Sequence, residues 1–181
     1  MGFKHERPEK KRRISTQGVQ MNVYDYAMQL EKDGENYYRE AASRSTHRGL
    51  ARIFTTLADA EVVHYDVFSK MKEGKSWQLP TTAILKDVKN IFVKMREEGD
   101  LEDIGVSQIE VYTKAQAIEK MTEDFYLEKA THVEDPTERE TFLQVAGEEK
   151  KHYFILQQII DFVSRPDQWL EDAEWYHLDE Y

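Results

Sequence analysis

A chain of 181 residues can form one domain with a sizeable core. Its 35 acidic against 25 basic residues, a net charge of −10 and a pI near 5.1, argue against nucleic acid or an anionic membrane as the main partner. No apolar run approaches the roughly eighteen residues that a spanning helix needs, mean hydropathy is −0.76, and the basic N-terminus leads into no apolar stretch, so no membrane partner, no secretory signal and a cytoplasmic location are expected.

Residues 1–17 carry Lys4, Arg7, Lys10, Lys11, Arg12 and Arg13 against Glu6 and Glu9 with almost nothing apolar, the composition of a basic flexible arm. The domain proper is expected over residues 18–165. Tyr24, Ala27, Glu31, Gly34, Glu35, Tyr38 and Ala42 recur at helical spacing and predict a first helix over about residues 21–43. A polar turn at 44–49 leads to a second helix over about 50–71, and so short a turn makes the two antiparallel neighbours. Residues 74–80 break the pattern; Thr81 or Thr82 is a candidate cap for a third helix with the stripe Ile84 or Leu85, Val88, Ile91 or Phe92, and Met95. This extra helix sits inside a long crossover. A fourth helix is predicted over about 107–131 and a fifth from the Asp135-Pro136-Thr137 turn to about residue 164, before Pro166. Residues 166–181 form an acidic and aromatic tail whose Trp169, Leu170, Trp175, Tyr176 and Leu178 suit packing against the domain or a partner subunit.

The helices repeat. Residues 27–42 set against 115–130, a displacement of 88 positions, match without a gap at Ala27/Ala115, Glu31/Glu119, Lys32/Lys120, Glu35/Glu123, Tyr38/Tyr126, Glu40/Glu128 and Ala42/Ala130. At the same displacement Glu61-x-x-His64 meets Glu149-x-x-His152. The expected fold is therefore all-α, a four-helix bundle built from two repeated helix hairpins joined by the crossover.

Residues three apart on a helix share a face, so each Glu-x-x-His offers an oxygen and a nitrogen to one point. Leu57 and Phe68 bracket the first arm and Val145 and Leu156 the second, which turns both arms inward. Six candidate metal ligands result: Glu31, Glu61, His64, Glu119, Glu149 and His152. Four buried carboxylates and two imidazoles would destabilise an empty core, whereas two divalent cations balance four glutamates. By the repeat, Glu31 and Glu119 would each hold one ion, Glu61 and Glu149 could bridge both, and each histidine would bind one ion while its other ring nitrogen donates to an acceptor outside the site. The complete absence of cysteine excludes thiolate ligands and iron–sulfur clusters, and an oxygen-rich donor set suits iron or manganese.

Glu35, Glu123, Tyr38 and Tyr126 lie on the same faces one and two turns on. The tyrosines fit either a phenol bonded to a ligand carboxylate across the bundle or ordinary core. The glutamates fit either a proton relay or seventh ligand, with Glu123 the first choice, or solvated ion-pair partners. Glu174 and His177 make a third Glu-x-x-His without a counterpart 88 positions away, so spacing alone is weak evidence. His5, His47, His132 and His177 also lack repeat partners and read as surface or packing residues.

The segments Glu31 to Tyr38, Glu61-x-x-His64, Glu119 to Tyr126 and Glu149-x-x-His152 resemble the four ligand segments of the ferritin-like superfamily, specifically its rubrerythrin branch, over roughly residues 21–164. The resemblance implies a ferritin-like bundle, two iron ions (manganese being possible), frequently a homodimer, and reduction of a small oxidant, hydrogen peroxide or dioxygen. Two departures stand out. Rubrerythrins proper carry a cysteine-ligated rubredoxin domain, absent here, so the resemblance implies an external electron-donor protein. They also carry a glutamate three residues after the third-helix ligand, where this chain has Thr122. Iron sequestration of the ferritin type and a manganese catalase-like dismutase are the alternative functions.

Overall fold

The computed structural model of the protein describes residues 22–98 and 108–165. The basic arm, the aromatic tail with its Glu174 and His177, and His5 lie outside the described residues. Five helices occur in the order α1 (Val23–Arg44), α2 (Arg48–Lys72), α3 (Ile84–Glu98), α4 (Ile109–His132) and α5 (Pro136–Ser164), each within two residues of its predicted start and end except where α3 begins slightly later than its proposed threonine cap. No helix among the described residues is long and apolar enough to cross a membrane.

Local chemistry sets the helix starts. Asn22 caps α1 by accepting from the Tyr24 N–H at 3.0 Å, and Asp135 caps α5 by accepting from the Thr137 and Glu138 N–H groups at 2.8 and 2.9 Å, with Pro136 in the first turn. The cap of α2 is His47, buried, whose Nδ1 accepts from the Gly49 N–H at 3.1 Å. The imidazole nitrogen thus satisfies an orphan amide of the helix end. Gly74, just past α2, takes a left-handed φ of 63°, which suits glycine at a helix exit. At α3 the threonine-cap expectation is corrected: the carbonyl of Ala83 accepts from the Asp87 N–H at 2.9 Å, while the Thr82 hydroxyl is spent on the Glu148 carboxylate of α5.

The two hairpins, α1 with α2 and α4 with α5, are the dominant packing units, and α3 lies against both α2 and α5. The α2–α3 linker follows α5: the Trp77 indole N–H donates to Thr141 Oγ1 at 2.9 Å, and the Thr82–Glu148 bond lies beyond it. Gly49 lets α3 close onto the first turn of α2, since a Cβ there would meet the Met95 sulfur at 2.3 Å.

Two apolar layers divide the interior. One gathers Leu50, Ile53, Phe54, Leu57, the α3 stripe and Ile155 to Val163; the other gathers Ala27, Val67, Phe68, Met71, Phe142 and Val145. The repeat is visible in the packing: Phe54 stacks on Tyr38 with ring centroids 6.4 Å apart, and Phe142, 88 positions on, faces Tyr126 at 6.0 Å. Between the layers lies a polar stratum.

Candidate metal centre

Glu31 from α1, Glu61 and His64 from α2, Glu119 from α4, and Glu149 and His152 from α5 are all buried. They form two groups whose ligand atoms lie within 4.8 Å of one another: Glu31, Glu61, His64 and Glu149 in one, Glu61, Glu119, Glu149 and His152 in the other. The three-residue spacing on α2 and α5 puts each Glu and His on one face, and the inward bracketing by Leu57, Phe68, Val145 and Leu156 turns that face to the centre.

The two bridging positions are occupied in a definite way. His64 Nδ1 lies 3.3 Å from Glu31 Oε2, 3.7 Å from Glu61 Oε2 and 3.1 Å from Glu149 Oε1. His152 Nδ1 lies 3.8 Å from Glu119 Oε2, 3.4 Å from Glu149 Oε2 and 3.1 Å from Glu61 Oε1. Glu61 and Glu149 therefore each give one oxygen to one group and the second oxygen to the other, while Glu31 and Glu119 each serve one group.

The remaining oxygens of the two terminal glutamates are also accounted for. Tyr38 donates its hydroxyl to Glu119 Oε1, and Tyr126 donates to Glu31 Oε1, each across from one hairpin to the other. Both phenols are fully buried, and burial followed by the adjacent carboxylate charge pushes their pKa values well above the usual range. They stay protonated and can only donate at this position. The two tyrosines thus do more than fill the core.

Whether the residues fit metal ions is tested by what the site lacks. Glu31 Oε2, Glu61 Oε1, Glu149 Oε1 and both nitrogens of His64 and His152 are buried without a hydrogen-bond partner, although several lie within ion-pair distance of one another. Within each group the ligand atoms lie within 4.8 Å of one another. Buried polar atoms of this kind are expected to be satisfied, and a cation in each group would satisfy the inward-facing ones. The expected outside acceptor for the second histidine nitrogen is not found: Nε2 of each ring has no hydrogen-bond partner among the described residues. The near-twofold arrangement instead stacks the two imidazoles, centroids 5.7 Å apart at 20°.

Electrostatics in the metal-free chain follow from burial. Desolvation, then the charges of Glu149 and Glu61, drives the Glu31 carboxyl well above its usual range; desolvation and Glu149 do the same to Glu119. Glu149 and Glu61 are also desolvated, but attraction to the two adjacent imidazoles outweighs that, and both fall below the usual carboxylate range. His64 and His152 overcome their own desolvation through the surrounding glutamates and are raised well above the usual imidazole range. Protons thus gather where cations would otherwise sit.

Glu123 stands outside both ligand groups. Its side chain is 15% exposed and lies 3.2 Å from Lys120 Nζ; Glu35, its repeat partner, lies 2.6 Å from Lys32 Nζ. Gly34 occupies the α1 position that corresponds to Thr122 on α4, and a Cβ there would come within 3.3 Å of the Glu61 carboxyl carbon. The sequence carried no signal for that contact beyond a glycine in a helical pattern. His47 was equally unmarked, since histidine is an uncommon cap.

The arrangement is two enclosed, carboxylate-rich groups that share Glu61 and Glu149, each able to hold a metal ion. A family model, rubrerythrin, matches residues 22–160 of the chain. No curated protein and no solved structure matches it.

Proposed function

The chain belongs to the rubrerythrin family, and from that premise we propose that it is a non-haem di-iron oxidoreductase that reduces hydrogen peroxide or dioxygen with electrons from an external donor protein. The single observation that carries the reading is the split of the Glu61 and Glu149 oxygens between the two ligand groups. Two ions sharing two carboxylates can both touch one small oxidant.

Glu31, His64 and one oxygen each of Glu61 and Glu149 would hold the first ion; Glu119, His152 and the other oxygens of Glu61 and Glu149 would hold the second. Four carboxylates and two imidazoles suit iron or manganese, and the family resemblance favours iron. When bound, the pair supplies Lewis acidity and stores two electrons. The chain supplies the rest. Tyr38 and Tyr126 fix the terminal carboxylates so that each keeps one oxygen turned inward. The apolar layers on either side bury the six ligand residues. Glu123, on α4 one turn beyond Glu119 and partly exposed, is the proposed proton relay. These residues include no cysteine to ligate a rubredoxin-type iron, which supports electrons supplied by an external donor protein. The family resemblance supports a homodimer as the working unit.

The test is to reduce iron-loaded protein anaerobically, mix it with hydrogen peroxide or dioxygen, and follow the visible spectrum. Rapid oxidation by one equivalent of peroxide per pair of irons supports the reading. Oxygen evolution from peroxide by manganese-loaded protein, with no reductant consumed, would replace it with dismutation.

A further inference from the structure

The α1 and α4 helices do not close on one another along their length. They touch near one end, where the Tyr37 hydroxyl donates to the Val111 carbonyl at 2.6 Å, and near the other, where Tyr26 and Phe125 meet edge to face at 4.9 Å. Between these contacts lies a cleft of about 280 Å³. Its walls are Leu30, Tyr37, Ala115, Ile118 and Met121 with the single carboxylate of Asp33, and its inner end is Tyr38 and Glu119, the hydrogen-bonded pair that borders the second ligand group. Gly34 lines it as well and leaves the Glu61 carboxyl uncovered by any side chain of its own. The repeat-related position on α4 is filled by Thr122, buried and bonded to the Ile118 carbonyl at 3.0 Å.

The volume and the lining disagree with hydrogen peroxide as the only guest. A water molecule takes up about 30 Å³ of liquid, so the cleft holds several times what peroxide or dioxygen requires. Its walls are mostly aliphatic and aromatic, and Ile118 and Met121 at its mouth are 42% and 53% exposed, an apolar opening that a small polar solute does not need. We propose that the cleft between α1 and α4 binds the hydrocarbon part of a small organic hydroperoxide and presents its O–O end to the centre at Glu119 and Tyr38. This rests on the oxidoreductase reading above and specifies its substrate class. The reaction balances as a two-electron reduction: the O–O bond breaks, two electrons come from the reduced centre and are replaced by the external donor protein, two protons come from solvent, and the alcohol and water leave.

Two measurements separate this proposal from the reading it rests on. The first compares kcat/KM for cumene hydroperoxide and hydrogen peroxide in iron-loaded wild type and in Ile118→Trp, a change at a half-exposed position that fills the cleft. One methylene in an apolar pocket is worth about tenfold or more in discrimination, so the cumene-to-hydrogen-peroxide ratio should fall at least tenfold in the variant. The second needs no turnover: cumyl alcohol, the product, is titrated into metal-free protein and methyl resonances of Leu30, Ala115, Ile118 and Met121 are followed. Saturable shifts at these residues in the wild type, with those of Leu30, Ala115 and Met121 lost in Ile118→Trp, support the site. No shift at them, or the same substrate ratio in both proteins, overturns it. If the loaded wild type reacts with neither peroxide, peroxide reduction falls, and the alcohol titration still decides for or against the cleft as an apolar binding site.

Discussion

The Tyr126 hydroxyl on α4 donates to Oε1 of Glu31 on α1, so a phenol from the second hairpin orients a candidate ligand carboxylate of the first. Tyr38 returns the relationship to Glu119. Each terminal glutamate thus has one oxygen held by a phenol and one left for the centre. Replacing Tyr126 by Phe removes the donor and leaves a buried carboxylate oxygen without a partner, a loss of about 1–3 kcal/mol. Hydrogen-bonding partners of metal ligands of this kind change affinity by roughly 10–100-fold. Tyr126→Phe should therefore lower the melting temperature of the metal-free chain and weaken one of two metal-binding steps by at least about tenfold, read by thermal denaturation and competition with a chelator. An unchanged affinity for both ions would mean that the phenol is only packing.

The pH dependence should run in opposite directions without and with metal. In the metal-free chain Glu31 and Glu119 have pKa values raised above their ordinary 4.5 and His64 and His152 above 6.5. A raised folded-state value contributes stability that is full below the unfolded pKa and is lost as pH rises through the folded one. Glu61 and Glu149 are lowered, and their contribution is already full above their ordinary value. Metal-free protein should therefore lose stability from about pH 5 to pH 8. Metal must displace those protons, so the rise in melting temperature on adding iron or manganese should widen over the same range. Calorimetric scans at several pH values check both trends, and a metal-free stability that climbs with pH would contradict the assigned directions.

Two helical glycines should respond differently to the same change. A Cβ at Gly147 meets nothing within 4 Å, and Gly147→Ala should stabilise by about 0.5–1 kcal/mol through helix propensity alone. A Cβ at Gly34 would lie 3.3 Å from Glu61 Cδ and 3.5 Å from its Oε2, so Gly34→Ala gains the same propensity but displaces a bridging carboxylate. Chemical denaturation should show Gly147→Ala gaining stability with metal affinity intact. Gly34→Ala should bind metal more weakly than wild type, and equal affinity would show that Glu61 has room to spare.

Glu123→Gln keeps size and removes the titratable group. As the proton relay, its loss should leave metal content unchanged and slow peroxide turnover by about a hundredfold, the low end for general acid–base roles. Wild-type turnover in the variant would leave Glu123 as the ion-pair partner of Lys120 alone.

Much of this fold is written in the sequence as a displacement of 88 positions. The five helices, the antiparallel hairpins and the extra helix in the crossover follow from apolar periodicity, the 44–49 and 135–137 turns, and the repeat. The pairing of Glu31 with Glu119 and of the two Glu-x-x-His arms follows from the same displacement. What pattern cannot carry is rotation about side-chain bonds and contact between elements. Hence the choice of Nδ1 over Nε2 in His64 and His152, their ring stacking, and the division of each bridging carboxylate emerge only in three dimensions. The same holds for His47, which caps α2 through a side-chain nitrogen, and for Thr82, whose hydroxyl bonds α5 instead of capping α3. Gly34 is the clearest case: its significance depends on Glu61 of the neighbouring helix, a relation no local spacing encodes.

The central claim is that Glu61 and Glu149 are shared between two bound ions. Anaerobic titration of metal-free protein with ferrous iron, read by calorimetry together with proton release, tests it most directly. The account predicts two ions per chain in the wild type with protons released, about one ion in Glu31→Ala, and no stoichiometric binding in Glu149→Ala, because the bridging carboxylate serves both positions. A wild type that binds no stoichiometric iron, or a Glu149→Ala chain that still binds two ions as tightly, would contradict it.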